Sequence, residues 1–288
     1  MKNVDCKILK TQGLEELTKK TYNKDVRLVV IQVGDDPAST KYTSQKSKAG
    51  MLSGIDVIYV PLKEEISEKE LIKVVDEYNY DDDVNGIIVQ LPLPKHIDEN
   101  KIINSISPIK DVDGLTDENI GKIVGGNPRF VPCTAKGVMH VLDEVVGLEN
   151  IEGKKAVILG RTKLVGLPLV HLFLKHNATP VICHSKTENV NQYLKDADIV
   201  VTATGAKNPF ITADMIKEGS IILDVTTSFN PETKKLTGDV VYDDAIKKAG
   251  YISKVPGGIG QMTVLELMDN TYLAHQMQKK NNKVKTIG

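Results

Sequence analysis

Two side chains on a predicted helix combine a flat ring with an amine. Tyr42 and Lys46 are four residues apart, so a helix places them on one face about one turn from each other. Such a ring can stack on a flat heterocycle while the amine acts as an acid or a base. Because most helical lysines are simply solvated, the pair alone does not establish a reaction.

Three other polar residues stand where a ligand would meet them. Gln90 ends a predicted strand, and α/β proteins bind ligands at the carboxyl ends of parallel strands, although an ordinary strand cap is the alternative. Asp111 and Asp113 lie two residues apart on a loop. Either they cap the backbone of their own turn, or one of them binds the N–H groups of a heterocycle. A metal would require more oxygen ligands than Asp117 and Glu118 add, so no metal is expected.

A glycine-containing turn indicates a phosphate-binding segment. Gly160 and Gly166 flank Arg161-Thr162-Lys163-Leu164-Val165, between a predicted strand at 155–159 and a predicted helix at 165–175. Glycines let the backbone approach a pyrophosphate, and the helix N-terminus supplies N–H groups and positive potential. The spacing differs from Gly-x-Gly-x-x-Gly, so spacing alone leaves nucleotide binding and an ordinary strand-to-helix turn equally open.

The next predicted strand favours NADP over NAD. It ends in Cys183-His184-Ser185-Lys186-Thr187, which contains no carboxylate. NAD-binding domains usually carry an Asp or Glu about 20 residues past the glycines, where it bonds the ribose 2′-hydroxyl. A hydroxyl and cations at this place, together with Arg161, suit a 2′-phosphate. The alternative is that His184 and Lys186 form a solvated strand end.

Short β-branched runs alternate with amphipathic stretches along the chain. Strands are predicted at 27–33, 55–60, 86–91, 155–159, 180–183, 199–203 and 221–225. Helices are predicted at 38–52, 68–78, 134–146, 165–175 and 262–278, and residues 107–127 are predicted to form a long loop. This order predicts two α/β domains with mostly parallel sheets and a cleft between them.

Composition excludes several classes of protein. The 288 residues include 37 Lys and Arg against 38 Asp and Glu, so a net charge of −1 supplies no field for nucleic acid or an anionic membrane. No apolar run approaches the roughly 18 residues of a membrane span, and the N-terminus lacks the apolar core of a signal peptide. Three distant cysteines, Cys6, Cys133 and Cys183, predict reduced thiols. A cytoplasmic protein is expected.

Together and in this order, the motifs resemble the bifunctional methylenetetrahydrofolate dehydrogenase/methenyltetrahydrofolate cyclohydrolase family along nearly the whole chain. The matching blocks are Gly34-Asp35-Asp36-Pro37-Ala38-Ser39, Tyr42-x3-Lys46, Gln90-Leu91-Pro92-Leu93-Pro94, Lys110-Asp111-Val112-Asp113-Gly114, Pro132-Cys133-Thr134, Gly160-Arg161, Val165-Gly166-x-Pro168, Cys183-His184-Ser185-Lys186-Thr187 and Pro256-Gly257-Gly258-Ile259-Gly260. The resemblance implies a folate-binding catalytic domain at 1–121 plus 265–288 and an NADP-binding Rossmann-type domain at 122–264.

The resemblance also implies roles for individual residues. Lys46 matches the catalytic lysine, Gln90 its partner, Tyr42 the tyrosine that stacks on the folate, and Asp113 the carboxylate that holds the pterin. Pro256, Gly257 and Gly258 are implied to bind substrate as well. The implied cofactor-binding residues are Gly160, Arg161, Thr162, Gly166, His184, Ser185, Thr204 and Gly205, with Arg161 and Ser185 facing the 2′-phosphate.

The implied activity has two steps. Methylenetetrahydrofolate is oxidised with NADP to methenyltetrahydrofolate, which is hydrolysed to 10-formyltetrahydrofolate by a water that neutral Lys46 activates. A homodimer joined through the cofactor domains is expected. The alternatives are a monofunctional dehydrogenase with altered cofactor use, such as NAD, and a non-catalytic dinucleotide- or folate-binding protein. The absent carboxylate near Ser185 argues against NAD, and a sensor would not need a water-activating lysine.

The second half departs from the family pattern at several positions. Thr226-Thr227-Ser228-Phe229-Asn230 stands where Gly-Ile-Asn usually follows Asp224-Val225, near the expected place of the nicotinamide. Gln261 stands where proline is usual, Thr162 replaces a common serine, and Ala135 replaces a proline. These changes put cofactor affinity and the dehydrogenase rate in doubt more than folate binding.

Overall fold

The computed structural model describes residues 4–230 and 233–287, and their side chains except those of residues 37–42 and 281–287. It divides the chain into two compact units. The Lys46 unit comprises Thr11–Cys133 and the residues from Val264 onward, and the Gly160 unit comprises the residues up to Lys10 together with Thr134–Thr263. The predicted domain boundaries stay a prediction.

The elements alternate between helices and strands over most of the chain. The helices are α1 Cys6–Thr21, α2 Pro37–Ser53, α3 Glu68–Tyr80, α4 Glu99–Ser105, α5 Asp117–Val124, α6 Cys133–Val146, α7 Gly166–Lys175, α8 Val190–Leu194, α9 Tyr242–Ala245 and α10 Ile259–Ile287. The strands are β1 Arg27–Val33, β2 Asp56–Leu62, β3 Gly86–Val89, β4 Lys155–Leu159, β5 Thr179–Cys183, β6 Ile199–Thr202, β7 Ile221–Asp224, β8 Ser228–Asn230, β9 Lys235–Thr237 and β10 Tyr251–Ile252. Short 3₁₀ turns occur at Leu148–Ile151 and Ala213–Met215. Among the residues described, no helix is both long and apolar enough to cross a bilayer.

The Lys46 unit is built on a parallel sheet with the strand order β2-β1-β3. From Leu28 to Ile31, every residue of the central strand is fully buried, as expected for a parallel strand covered on both faces. The chain runs from β1 to β2 on one side and then to β3 on the other. The carboxyl ends of β1 and β3 therefore form a topological switch point, where open α/β sheets bind ligands.

Buried polar contacts set the position of α2 against this sheet. The Thr43 hydroxyl donates to Gln32 Oε1 at 3.0 Å, and Gln32 is a buried residue of β1. On the same helix, a Cβ at Gly50 would lie only 2.3 Å from Val57 Cγ2, so α2 packs directly on β2. Because Lys46 is one turn after Thr43, these contacts determine where its side chain emerges.

The predicted long loop at 107–127 is wrong in part, because α5 occupies Asp117–Val124. The Thr116 hydroxyl caps this helix by accepting the N–H of Asn119, and Asp117 and Glu118 lie in its first turn. These are strong helix-start signals. Eight residues are too few, however, for the apolar periodicity to stand out in the sequence.

Asp111 holds together the loop before α5. Its carboxylate accepts the N–H of Leu115 at 3.1 Å, the N–H of Thr116 at 2.8 Å and the side-chain amide of Asn119 at 2.8 Å. Asp111 is buried, so each of these bonds replaces contact with water. Asp111 therefore caps its own turn, whereas Asp113 takes no part in these bonds.

The Gly160 unit contains a five-stranded sheet in the order β10-β7-β6-β4-β5, and every pairing in it is parallel. The chain leaves β4 for β5 on one side and returns to β6 on the other, so the switch point lies between β4 and β6. An antiparallel pair, β8 and β9, follows β7. The sequence analysis did not predict this hairpin, α1 or β10, and α10 begins at Ile259, earlier than expected.

Replacing Asp111 by Asn should destabilise the Lys46 unit by about 1–3 kcal/mol, because one acceptor oxygen becomes a donor that faces other donors. Urea unfolding measures the loss. Asp82→Asn, at an exposed acidic residue, is the matched control and should change the free energy of unfolding by less than about 0.5 kcal/mol. Equal stabilities of the two variants would contradict the role assigned to Asp111.

Candidate active site and dinucleotide-binding edge

Lys46 and Gln90 meet at the switch point of the smaller sheet. Lys46 Nζ donates to Gln90 Oε1 at 2.8 Å. Two further bonds fix Gln90. Its side-chain Nε2 donates to the Leu91 carbonyl at 2.8 Å, and its backbone N–H donates to the Ile31 carbonyl at 2.8 Å. With the amide nitrogen engaged, the oxygen faces the amine. The structure brings this predicted pair together.

Burial dominates the electrostatics of this pair. It lowers the pKa of the Lys46 amine, an effect that the nearby Asp113 carboxylate opposes. Burial likewise raises the pKa of Asp113, and the Lys46 charge opposes that shift. An amine with a lowered pKa is neutral in a larger fraction of molecules near neutral pH, which is the condition for a general base.

Asp113 is presented by a loop that α10 and the start of α6 anchor. The side-chain amide of Asn270 donates to the Val112 carbonyl at 2.9 Å and to the Val131 carbonyl at 3.1 Å. The Cys133 thiol donates to the Val112 carbonyl at 3.4 Å and also bonds the Asp113 carboxyl. Sequence reasoning missed the positions of Asn270 and Cys133. The Pro-Cys-Thr block was a signal for Cys133, whereas nothing in the sequence pairs Asn270 with a loop so distant along the chain.

The structure does not test the two other predicted substrate-binding segments. The Tyr42 side chain lies outside the described residues. Pro256, Gly257 and Gly258 lie between β10 and α10, in the Gly160 unit. There Gly257 has a φ of +107°, and a Cβ at Gly258 would lie 2.4 Å from the Lys254 carbonyl oxygen, so this loop requires its glycines.

The turn after β4 is closed too tightly for any residue but glycine. A Cβ at Gly166, the first residue of α7, would lie 1.9 Å from the Gly160 carbonyl oxygen. Gly160 itself has a φ of +121°, and a Cβ there would lie 2.6 Å from the Ala203 carbonyl oxygen. Backbone from the ends of β4 and β6 therefore approaches closely at the switch point, beside the N-terminus of α7.

The segment after β5 leaves a hydroxyl and a cation exposed. His184 Nδ1 accepts the N–H of Lys186 at 3.1 Å, and the backbone N–H of His184 donates to the Thr187 hydroxyl at 2.9 Å. This compact turn exposes Ser185 and Lys186, and Arg161 is exposed after β4. The donor set suits an anion, so these residues fit the 2′-phosphate of NADP.

The remaining predicted cofactor residues follow β6. Thr204 donates its backbone N–H and its hydroxyl to the buried Asp239 carboxylate, at 3.0 and 2.8 Å, and Gly205 is the next residue. Thr162 lies in the turn between Gly160 and α7. All the predicted cofactor residues thus follow the carboxyl ends of β4, β5 or β6. Sequence reasoning missed Asp239, which lies outside the regular strands and bonds a loop far from it along the chain.

A second buried carboxylate, Asp224, ends β7. It accepts the N–H groups of Val240 at 3.0 Å and of Thr226 at 3.1 Å. Burial, reinforced by the negative charge of neighbouring Asp239, raises the pKa of Asp224 to about 7. Near neutral pH this carboxyl group is therefore held partly protonated inside the sheet edge.

Comparisons with known proteins identify the family of this chain. Residues 4–113 match the catalytic domain of the tetrahydrofolate dehydrogenase/cyclohydrolase family, and residues 132–279 match its NAD(P)-binding domain. The bifunctional protein FolD of Acetivibrio thermocellus is 44% identical over 279 residues, which cover 97% of this chain and 96% of the relative. The chain belongs to the tetrahydrofolate dehydrogenase/cyclohydrolase family.

Two solved structures of family members support the assignment. The bifunctional FolD enzyme from Campylobacter jejuni superposes with a TM-score of 0.91 at 39% identity, covering 96% of this chain and 99% of that one. The Trypanosoma brucei enzyme, solved with NADP cofactor and an inhibitor, gives a TM-score of 0.88 at 33% identity, with coverages of 96% and 97%. The predicted family and the two-domain α/β fold with an NAD(P)-binding domain are confirmed.

The raised pKa of Asp224 makes stability depend on pH. Between about pH 4 and about pH 7 the unfolded chain releases the proton that the folded chain keeps, so the free energy of unfolding falls as pH rises. The slope that this group contributes is at most about 1.4 kcal/mol per pH unit. In Asp224→Asn that contribution should vanish, as denaturant titrations at a series of pH values would show.

The exposed Asp243 is a matched control, since Asp243→Asn should keep the wild-type pH dependence. A difference between wild type and Asp224→Asn that stays constant from pH 4 to pH 8 would contradict the assigned protonation.

Proposed function

We propose that this chain catalyses two successive reactions on tetrahydrofolate: the NADP-dependent oxidation of 5,10-methylenetetrahydrofolate to 5,10-methenyltetrahydrofolate, and the hydrolysis of the latter to 10-formyltetrahydrofolate. The observation that carries the proposal is the 2.8 Å bond from Lys46 Nζ to Gln90 Oε1 at the switch point of the catalytic domain. A buried amine beside a neutral acceptor is suited to proton transfer, not to a permanent ion pair.

The hydrolysis step depends on the protonation state of Lys46. The methenyl carbon is electrophilic, and a water oxygen forms a bond to it while neutral Lys46 accepts the proton of that water. The Lys46 ammonium then returns a proton to one ring nitrogen, and the bond between that nitrogen and this carbon breaks. The hydroxyl proton of the adduct leaves to solvent as the C=O bond forms, so a formyl group remains on the other nitrogen and one proton is released overall. Gln90 orients the amine throughout, because its own N–H groups are engaged elsewhere.

Substrate orientation is assigned to Asp113 and its neighbours. The Asp113 carboxyl binds N–H groups of the pterin, with Tyr42 stacking on the ring and Pro256, Gly257 and Gly258 completing the folate site. Asp113 and Lys46 share one electrostatic environment, in which each favours the charged form of the other. A cationic substrate beside Lys46 lowers the pKa of the amine further.

The residues after β4, β5 and β6 are assigned to NADP. When bound, NADP supplies the hydride acceptor for the first reaction. The turn from Gly160 to Gly166 holds the pyrophosphate at the α7 N-terminus, with Thr162, Thr204 and Gly205 beside it. His184 shapes the turn that directs Ser185 toward the 2′-phosphate, where Arg161 joins it.

Assembly and cellular context extend the proposal. We infer a homodimer joined through the NADP-binding domains and a place in the cytoplasm, where one-carbon units serve purine biosynthesis. The support for these points is the family resemblance, together with a net charge of −1 that gives no attraction to nucleic acid or to an anionic membrane.

Lys46→Met keeps the length of the side chain but removes the base. The rate of methenyltetrahydrofolate hydrolysis, followed by loss of its absorbance, should fall by about 10²- to 10⁴-fold. Folate binding should remain measurable, because the pterin contacts are left in place. Lys48→Met, two residues along the same helix at an exposed position, is the control and should hydrolyse at the wild-type rate. Hydrolysis by Lys46→Met at the wild-type rate would rule out the assigned base.

Ser185→Asp should reverse the cofactor preference. A carboxylate repels a 2′-phosphate but accepts a bond from a free 2′-hydroxyl, so the KM for NADP should rise by about tenfold or more while the KM for NAD falls. Initial rates of methenyl formation with each cofactor measure both changes. Asn189→Asp adds the same charge at an exposed position farther along the loop and should leave the preference unchanged. An equal effect of both variants would point to net charge instead of a 2′-phosphate contact.

A further inference from the structure

A single hydroxyl links two loops at the carboxyl edge of the larger sheet. Thr226, shortly after β7, donates its hydroxyl to Asp239 Oδ2 at 2.7 Å. The Thr226 hydroxyl oxygen in turn accepts the backbone N–H of Gly205, after β6, at 3.1 Å. Thr226 is only 4% exposed, so both bonds form away from water.

Asp239 makes this link part of a larger anchor. It is fully buried and accepts bonds from the Thr202 hydroxyl, from the backbone N–H and the hydroxyl of Thr204, and from the N–H of Ala206 at 3.2 Å. The whole segment from the end of β6 to Ala206 is therefore held by one carboxylate. Thr226 supplies the Gly205 N–H with an acceptor that Asp239 does not provide.

The anchored segment forms one wall of the switch point. The Ala203 carbonyl oxygen lies so near Gly160 that a Cβ there would be 2.6 Å away. On the proposed function, Ser185 and Arg161 would hold the 2′-phosphate on the β5 side of β4. With the pyrophosphate at the turn after β4, the nicotinamide half would be received at the ends of β6 and β7. That is the side on which Thr226 bonds Gly205.

We propose that Thr226 is a positioning residue for the nicotinamide half of NADP, an inference that rests on the proposed function. Its hydroxyl holds Gly205 and the segment around it in the conformation that receives the cofactor. A glycine at this position, the usual residue in the family pattern, has no side chain that bridges Gly205 and Asp239. The departure at position 226 therefore adds an interaction to the binding edge. Thr226 acts through the loop that it orders, and loop order present before binding raises affinity.

Thr226→Val tests the proposal, because it removes the hydroxyl and keeps the volume. In the dinucleotide-free chain, amide hydrogen exchange at Gly205 should become faster once the N–H loses its acceptor. The Kd for NADPH, measured by its fluorescence, should rise by about tenfold, because the loop must then be ordered when the cofactor binds. The KM for NADP should rise more than kcat falls. Thr226→Ser, which retains the hydroxyl, should restore all three quantities.

Thr179→Val is the matched control, since Thr179 is exposed at the amino end of β5, the opposite end of the sheet. It should leave Gly205 exchange and NADPH affinity unchanged. If Thr226→Val does not fold, Thr226→Ala is compared with Thr226→Ser by the same two measurements.

The outcomes separate this proposal from the proposed function. Wild-type exchange at Gly205 together with a wild-type Kd in Thr226→Val would overturn the role of Thr226 and leave the activity intact. Faster exchange with an unchanged Kd would also overturn it, since the loop would then be ordered without effect on the cofactor. A wild-type chain that neither binds NADPH nor acts on methylenetetrahydrofolate would instead overturn the proposed function.

Discussion

Strands of a parallel sheet end at one edge, and this constraint governs where each unit places its polar residues. In both sheets the chain leaves a central strand to one side and later returns on the other, which opens a crevice at the switch point. Lys46 and Gln90 meet at the crevice beside β1 and β3, and Gly160 approaches Ala203 at the crevice beside β4 and β6. The same backbone geometry thus positions the residues that we propose for proton transfer in one unit and for dinucleotide binding in the other.

Burial and the charges of the neighbouring residues together set the pKa of the Lys46 amine. A carboxylate in direct contact would hold the amine charged, whereas the amide of Gln90 accepts a bond without adding a full charge. Asp113 contributes its charge nearby and is itself pushed toward protonation by burial. The competition leaves an amine whose pKa is lowered and a carboxyl whose pKa is raised, so the protonation of each depends on the other.

In the Gly160 unit, buried carboxylates give rigidity to loops that carry few apolar side chains. Asp239 accepts hydroxyl and backbone N–H groups from the segment after β6, and Asp224 accepts backbone N–H groups near the end of β7. Bonds to an ionised carboxylate are charge-assisted, and in a medium of low polarity they are stronger than in water. With these carboxylates satisfied inside the sheet edge, the exposed groups facing a ligand are hydroxyls, cations and glycine backbone, which suit a polyanion.

Apolar periodicity and turn residues, read along the chain, determined the strands β1 to β7, the glycine turn after β4 and the helices α2, α3, α6, α7 and α10. The pairing of Lys46 with Gln90 came from a motif order shared with a family. The helix α5 was not predicted, because eight residues are too few to show an apolar periodicity. Only the tertiary structure decided that Asp111 anchors its loop while Asp113 interacts electrostatically with Lys46. It also decided that Asn270, Asp239 and Thr226 hold loops distant in sequence. Hydrogen bonds between remote segments leave no periodic trace, and a shift of pKa requires burial, which exists only once the chain has folded.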